Sequence, residues 1–365
     1  MPSARPPRPL TLLIGTAKGA FFYHTDERRE HWQLTGPHLG GTAVYSLCGD
    51  SRNSRILAGT GGNFMAGPLI STSTDLGASW RPVGRGPADP SGPEAKLKHI
   101  WQIVPGHPSQ PGTWYAGVDD AGLFVSRDDG QTWSELAGLT THATRPDWVP
   151  GFGGLCLHSV LVDPTNPLRL WVAISAVGVF RSDDGGDSWK LCNTGLRNVA
   201  PEFIKGEGMG RCVHKLVLDP ERPGMLYQQF HGGVFKSTDA GDTWSSISAG
   251  LPHDFGFPMV MTRRGDLFIV PLLADTNRVV PDGALKVWRT RDRGATWQPL
   301  TNGLPQKEHF VGVLRDALAC DPLDPAGLYL GTTMGELFCS IDDGDHWRRL
   351  PAQFPRITSV KVWTR

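Results

Sequence analysis

Short apolar runs, each closed by glycine, proline or aspartate, recur from one end of this chain to the other. Their alternation and their aromatic and β-branched content predict strands throughout and no long helix. The runs come in a fixed order. One type ends in Asp-Pro, as at 157–164, 213–220 and 317–322. A second follows, as in Leu170-Trp171-Val172-Ala173 and Leu328-Tyr329-Leu330-Gly331. A third opens on a small turn, as in Gly178-Val179-Phe180-Arg181 and Gly233-Val234-Phe235-Lys236. It runs into a motif, Ser/Thr-x-Asp-x-Gly-x-x-Trp, after which a fourth run begins.

The motif occupies 73–80, 126–133, 182–189, 237–244, 290–297 and 340–347, with a degenerate copy around Asp26 and Trp32. Its tryptophans are spaced by 48 to 56 residues, long enough for one four-stranded sheet each. The aspartates (Asp75, Asp128, Asp184, Asp239, Asp292, Asp342) are suited to accept backbone N–H groups and close a turn. The glycine supplies positive φ, and the tryptophan can bury its ring between neighbouring sheets. These carboxylates therefore read as turn staples and not as catalytic acids. Seven such units imply an all-β, seven-bladed β-propeller with four-stranded blades, one domain over 1–365 with 1–9 disordered or extended. The first unit lacks its inner strand, and 357–363 looks like an inner strand without a unit. Pairing the two closes the ring and leaves few exposed edges.

Composition narrows the partners. Lys+Arg 36 balances Asp+Glu 36, so the chain lacks the basic footprint of a nucleic-acid or membrane-surface binder. No run approaches the ~20 apolar residues of a membrane-spanning helix, and the apolar start is too short for a signal peptide. Six cysteines without a CxxC pair read as free thiols, which suits the cytoplasm. The glycine-rich 151–154 stretch does not sit between a strand and a helix, so a nucleotide loop is rejected.

The six boxes resemble the BNR, or Asp-box, repeats of sialidases, sortilin-type receptors, xyloglucan-active glycosidases and photosystem II assembly factors. The whole chain resembles bacterial sialidase-like, BNR-repeat glycosyl hydrolases. That resemblance implies the propeller fold and a glycan-like ligand. Sialidases, however, are six-bladed and carry an Arg-Ile-Pro motif, an arginine triad and a Tyr/Glu pair. Here Arg55-Ile56 and Arg356-Ile357 lack the proline, and Tyr45 alone among the tyrosines falls on an inner strand. No sialidase triad transfers.

Candidate chemistry gathers on the rim opposite the boxes. Eight of twelve histidines map there (His38, His99, His142, His158, His214, His231, His253, His309). Counting five residues back from the terminal aspartate of each inner strand selects His158, His214, Asp316 and Tyr45. Gln102 joins them, with His107 in the aspartate's place. These are expected to form one polar layer at the channel mouth, with Arg315, Arg211 and His99 above it. One reading is an enzyme of hydrolase or lyase type acting on a small polar or glycan-like molecule. His158, His214 and Asp316 would then be acid/base groups or ligands of zinc, iron or copper. Glu207 would be a general acid, and Tyr45, His99, Gln102, Arg145, Arg211, His231 and Arg315 would bind substrate. The plainer reading is that the layer holds channel water. A second class is a non-catalytic module binding a protein or glycan on the same rim.

Overall fold

The computed structural model describes residues 9–61, 67–89, 97–197, 206 and 208–364. Seven four-stranded antiparallel sheets follow one another round a ring. Blade 2 begins at Val44–Asp50, blade 3 at Ile100–Pro105, blade 4 at Leu157–Asp163, blade 5 at Val213–Leu218, blade 6 at Gly256–Met261 and blade 7 at Leu318–Cys320. Blade 1 takes its first three strands from Pro9–Thr16, Gly19–Asp26 and Gln33–His38. Its inner strand is Ile357–Thr364. That strand pairs antiparallel with the opening one, Leu12 opposite Val362 and Leu13 opposite Lys361. The ring is closed as the strand order requires. The segment at 1–9, expected to be disordered or extended, falls, but for Pro9, outside the described residues.

Burial is deepest in the second strands and lost at the outer edge. Leu170 to Ile174, in a second strand, are buried without interruption, because a blade is covered on both faces by its neighbours. The fourth strands, such as Ser134–Glu135 and Arg348–Arg349, are exposed. A short polar outer edge discourages pairing with another chain.

The six boxes share one geometry. In blade 2, Ser73 donates to Asp75 Oδ1 at 2.8 Å, and the Gly77 N–H donates to Ser73 Oγ at 2.9 Å. Ser79 donates through its N–H to Asp75 Oδ1 at 2.9 Å and through its hydroxyl to Oδ2 at 2.5 Å. The glycine has a steric reason as well. Gly130 has φ +81°, and a Cβ there would stand 2.9 Å from Leu57 of the preceding blade. Trp244 and Trp297 carry the contact across the seam, donating Nε1–H to Cys192 and Ile247 of the blade before.

In the degenerate first box, Arg29 takes the glycine's role. It has φ 59°, and its carbonyl accepts Trp32 Nε1–H at 3.1 Å. Its guanidinium reaches Asp321 of blade 7 at 3.1 Å, tying the last blade to the first. His107 likewise stands in for the inner-strand aspartate. Its Nδ1 accepts the Ser109 N–H, as Asp163 accepts that of Thr165.

Two predictions follow from closure and from the boxes. Ile357, Val360 and Trp363 are buried in the closing strand, each worth about 1.5–3 kcal/mol. Their sum approaches the roughly 5–15 kcal/mol total of an ordinary domain. A chain ending at Arg356 should show no cooperative thermal transition; an intact melt would make the strand dispensable. The second concerns acid. Hydrogen bonds from Ser79, then its backbone and Ser73, hold the Asp75 carboxyl at about 2 against an ordinary 3.8. Asp184 and Asp292 are held at about 2 by their own Ser188 and Thr296. A depressed carboxyl stabilises the fold above its unfolded pKa, and that share is lost as pH falls through the folded value. Urea unfolding should thus show stability dropping from pH ~4 to ~2. The drop should be shallower when Asp75, Asp184 and Asp292 are all changed to Asn; an unchanged slope would refute the staple reading.

Candidate functional site

The channel mouth is built by one repeated irregularity. In blades 1 to 6 the inner strand carries an extra residue near its start, opposite the second strand. The extra residue is Thr358 in blade 1, Tyr45 in blade 2 and Trp101 in blade 3. It is His158 in blade 4, His214 in blade 5, and one of Phe257 and Pro258 in blade 6. A bulge bends its strand and re-aims one side chain. Here five of these side chains (Tyr45, Trp101, His214, Phe257 and Thr358) line the mouth. Blade 7 contributes Arg315 and Asp316 at the corresponding place.

Two adjoining cavities result, of about 690 and 390 Å³, sharing Trp101, Phe257 and Arg315 as walls. Trp101, Tyr45 and His99 form an aromatic cluster with ring centroids 4.9–5.3 Å apart. Arg315 sits 5.7 Å from the Trp101 ring, with Nε–H donated to the His214 carbonyl at 3.0 Å. Arg278 stacks 4.7 Å from Phe255, and Arg356 lines the smaller cavity. Two carboxylates share these walls, and both are occupied. Asp275 accepts the backbone N–H groups of Asn277 and Arg278. Asp316 Oδ1 accepts Lys215 Nζ at 2.6 Å and Lys361 Nζ at 2.8 Å.

Asp316, Lys215 and Lys361 come from blades 7, 5 and 1 and meet on the axis. Burial alone would raise the Asp316 pKa, but the two ammonium groups outweigh it and hold the carboxyl well below the usual range. Burial pushes Lys215 down to about 8 against the pull of Asp316. Both lysines use Oδ1, which leaves Oδ2 without a hydrogen-bond partner among the described residues. The mouth thus presents a fixed anion within a surplus of positive charge.

The other expected residues are placed as follows. His231 lines the larger cavity. His158 is fully buried in the seam between blades 4 and 5. Its Nε2–H donates to the Val213 carbonyl at 2.9 Å, and Nδ1 meets Ser159 Oγ at 3.1 Å. Gln102 also works in a seam, its Oε1 accepting the Val160 N–H at 2.6 Å. The counted layer is corrected at this strand: the bulge falls on Trp101, because the stretch from bulge to turn is one residue longer in blade 3. Arg145 donates to the Asp120 and Ala121 carbonyls and stacks on Trp148, 4.7 Å away. Arg211 donates to the Met209 and Leu196 carbonyls. Both arginines brace rim loops and do not line either cavity. Glu207 lies outside the described residues.

The metal set expected at His158, His214 and Asp316 is not assembled. His158 is committed to the seam and Asp316 to its lysines. Among the described residues, the group of three whose ligating atoms all lie within 4.8 Å of one another is Cys212, His214 and His231.

A family model for the BNR/Asp-box repeat matches residues 124–135, and the same box geometry recurs six times round the ring. The fold is a seven-bladed β-propeller, and its third box matches the BNR/Asp-box repeat model. Among curated relatives, it is 24% identical to a xyloglucanase of Hypocrea jecorina over 66% of this chain and 26% of that enzyme. It is 29% identical to a sialidase of Bacteroides fragilis over 63% of this chain and 48% of that protein. The propeller spans about a quarter of the length of the xyloglucanases it matches. Among solved structures, an ancestral GH74 enzyme superposes with a TM-score of 0.60 at 17% identity, over 90% of this chain and 39% of that one. YCF48 bound to a D1 peptide gives 0.53 at 14%, over 96% and 87%. These likenesses bear on the fold. Among the described residues, no helix of the propeller is long and apolar enough to cross a membrane.

Residue counting missed Cys212, Lys215, Arg278, Arg356 and Lys361. Cys212 and Lys215 flank His214 in the sequence, so a wider window on that strand would have found them. Lys361 could be reached only by placing 357–364 in the first blade and aligning it with the other inner strands.

The axial ion triad yields a prediction. Asp316→Ala would leave the buried Lys215 ammonium unpaired, with the partly exposed Lys361 ammonium on the same side, a loss of about 3–5 kcal/mol for an unpaired buried charge. Urea unfolding should show that loss, and Lys361→Met in the same chain should recover part of it. A loss under about 1 kcal/mol, typical of exposed pairs, would mean the triad is solvated.

Proposed function

We propose that this propeller is a glycoside-hydrolase-type protein that takes an acidic, glycan-like molecule at the channel mouth. One observation carries the reading: Arg278, Arg315 and Arg356 share cavity walls with Trp101, Tyr45 and Phe257. Aromatic faces stack on the apolar faces of sugar rings, and guanidinium groups bind carboxylates in bidentate fashion. The cavity volumes lie in the range of about 300–1,000 Å³ usual for small-molecule sites. The similarity to xyloglucanases and to a sialidase supports a glycan over other polar ligands.

In this reading Asp316 is the ionised partner. Its Oδ2 can stabilise the positive charge that develops in glycosidic cleavage. It cannot be the proton donor, because its lysines keep the proton off; Glu207 is the proposed acid. Arg315 and Arg278 hold the acidic group. The six free cysteines fit a reducing compartment, which we take to be the cytoplasm. A second reading, a peptide-binding rim, is favoured by Phe152, 94% exposed beside the same cavity.

Calorimetric titration with uronate- or sialate-containing oligosaccharides, against neutral xyloglucan fragments, separates the readings. Acidic oligosaccharides should bind, and Arg315→Ala or Arg278→Ala should weaken them by about 1.5–3 kcal/mol, the worth of a charged hydrogen bond. Asp316→Asn should keep binding and lose release of reducing sugar. Binding that ignores the arginines, or acidic glycans that do not bind, would refute the proposal. Loss of peptide capture in Phe152→Ala alone would favour the second reading.

A further inference from the structure

The hairpin that opens blade 5 holds a thiol and two imidazoles in a preorganised arrangement. Cys212 and His214 are two residues apart, straddling the first residue of the inner strand. His214 is the bulged residue, with no partner on the second strand. His231 follows the second strand directly, and its backbone N–H donates to the Cys212 carbonyl at 2.9 Å. The backbone itself therefore clamps all three positions together.

The hydrogen bonds also decide which imidazole nitrogen of His214 faces the group. Nδ1 lies 2.7 Å from the Gly256 carbonyl. A carbonyl only accepts, so Nδ1 carries the proton and Nε2 carries a lone pair. Nε2 points at Cys212 Sγ, 3.5 Å away. An imidazole fixed by a backbone carbonyl on one nitrogen and open on the other is the form that ligates metals. The separation fits as well. With Zn–S of about 2.3 Å and Zn–N of about 2.0–2.1 Å, a tetrahedral site sets sulfur and nitrogen about 3.6 Å apart. The third ligating atom, on His231, lies within 4.8 Å of both.

We propose that Cys212, His214 and His231 bind one zinc ion, with the fourth position open to the larger cavity. All three residues line that cavity. A thiolate with two imidazoles is a zinc donor set, and three protein ligands with one open position are the pattern of reactive zinc. Binding replaces the thiol proton: Cys–SH and Zn²⁺ give Cys–S–Zn⁺ and a proton released to solvent. The site lies against Phe255 and Phe257, whose rings are 5.1 and 4.7 Å from that of His214. Arg315 and Arg278 are the cations nearby, and they oppose a bare dication. The thiolate offsets one charge, and an anionic fourth ligand from the cavity, hydroxide or carboxylate, offsets the second. Zinc binding should accordingly tighten when such an anion is present.

The test uses the metal alone, so it stands apart from the glycan reading. Metal-free full-length protein is titrated with Zn²⁺ against a chromophoric chelator, and separately with Co²⁺ followed by absorption. We expect one zinc per chain and a sulfur-to-cobalt charge-transfer band. Cys212→Ser and His231→Gln should each weaken zinc at least about tenfold, and Cys212→Ser should abolish the band. His253→Gln, on the same rim, should bind as wild type does. No stoichiometric zinc, a cobalt complex without the sulfur band, or a Cys212→Ser chain that binds as tightly as wild type would each overturn the site. Near-ultraviolet circular dichroism reports whether each variant is folded. If Cys212→Ser is not, His231→Gln and the cobalt spectrum of the unaltered protein decide.

Discussion

The antiparallel pairing of residues 357–364 with residues 10–16 is the constraint on which the rest of this structure depends. The sheet faces pack on the two neighbouring blades, so each blade is held in place by the blades on either side. Without the closing strand, blade 1 loses its axial edge and blade 7 loses its next neighbour. Closure brings Lys361 to the axis beside Lys215 and Asp316, residues from three blades that meet in no shorter way. It also lets Arg29, near the start of the chain, reach Asp321, near its end.

The boxes and the bulges divide the work between the two rims. On one rim each carboxylate is spent on the N–H and hydroxyl groups of its own turn, and each tryptophan packs along a seam. That rim is chemically quiet because its acids are already paired. On the other rim a bulge near the start of six inner strands turns one side chain toward the mouth. The bulge costs a ladder position, and the neighbouring seams compensate. Gln102 accepts the Val160 N–H, Ser46 accepts that of Ile103, and His158 donates to Val213. Side chains that look alike in sequence thus part ways, some stitching blades together and some facing the cavity.

His158 and His214 show how fine that division is. They stand at the same offset from the end of their strands, both are bulged, and burial lowers both pKa values so that each is neutral at pH 7. His158 donates from Nε2 to the next blade, which leaves only Nδ1, against Ser159. His214 donates from Nδ1 to the next blade, which leaves Nε2 facing Cys212. The choice of nitrogen, set by where the neighbouring carbonyl lies, separates a seam residue from a ligand.

The amino-acid sequence by itself determined the repeat, the number of blades, the strand order within a blade and the closure by the C-terminal strand. These rest on local chemistry: turn acids, positive-φ glycines and apolar runs act within a few residues of one another. It also pointed to the correct rim, since loop length and histidine position are linear properties. Only the tertiary structure decided which of those residues meet. A one-residue difference in strand length moved the layer from Gln102 to Trp101. Two lysines from distant blades turned Asp316 from a free carboxyl into a fixed anion. Backbone carbonyls of adjacent blades oriented the imidazoles. Each of these is a contact between blades, and a blade's own sequence does not carry the position of its neighbour's backbone.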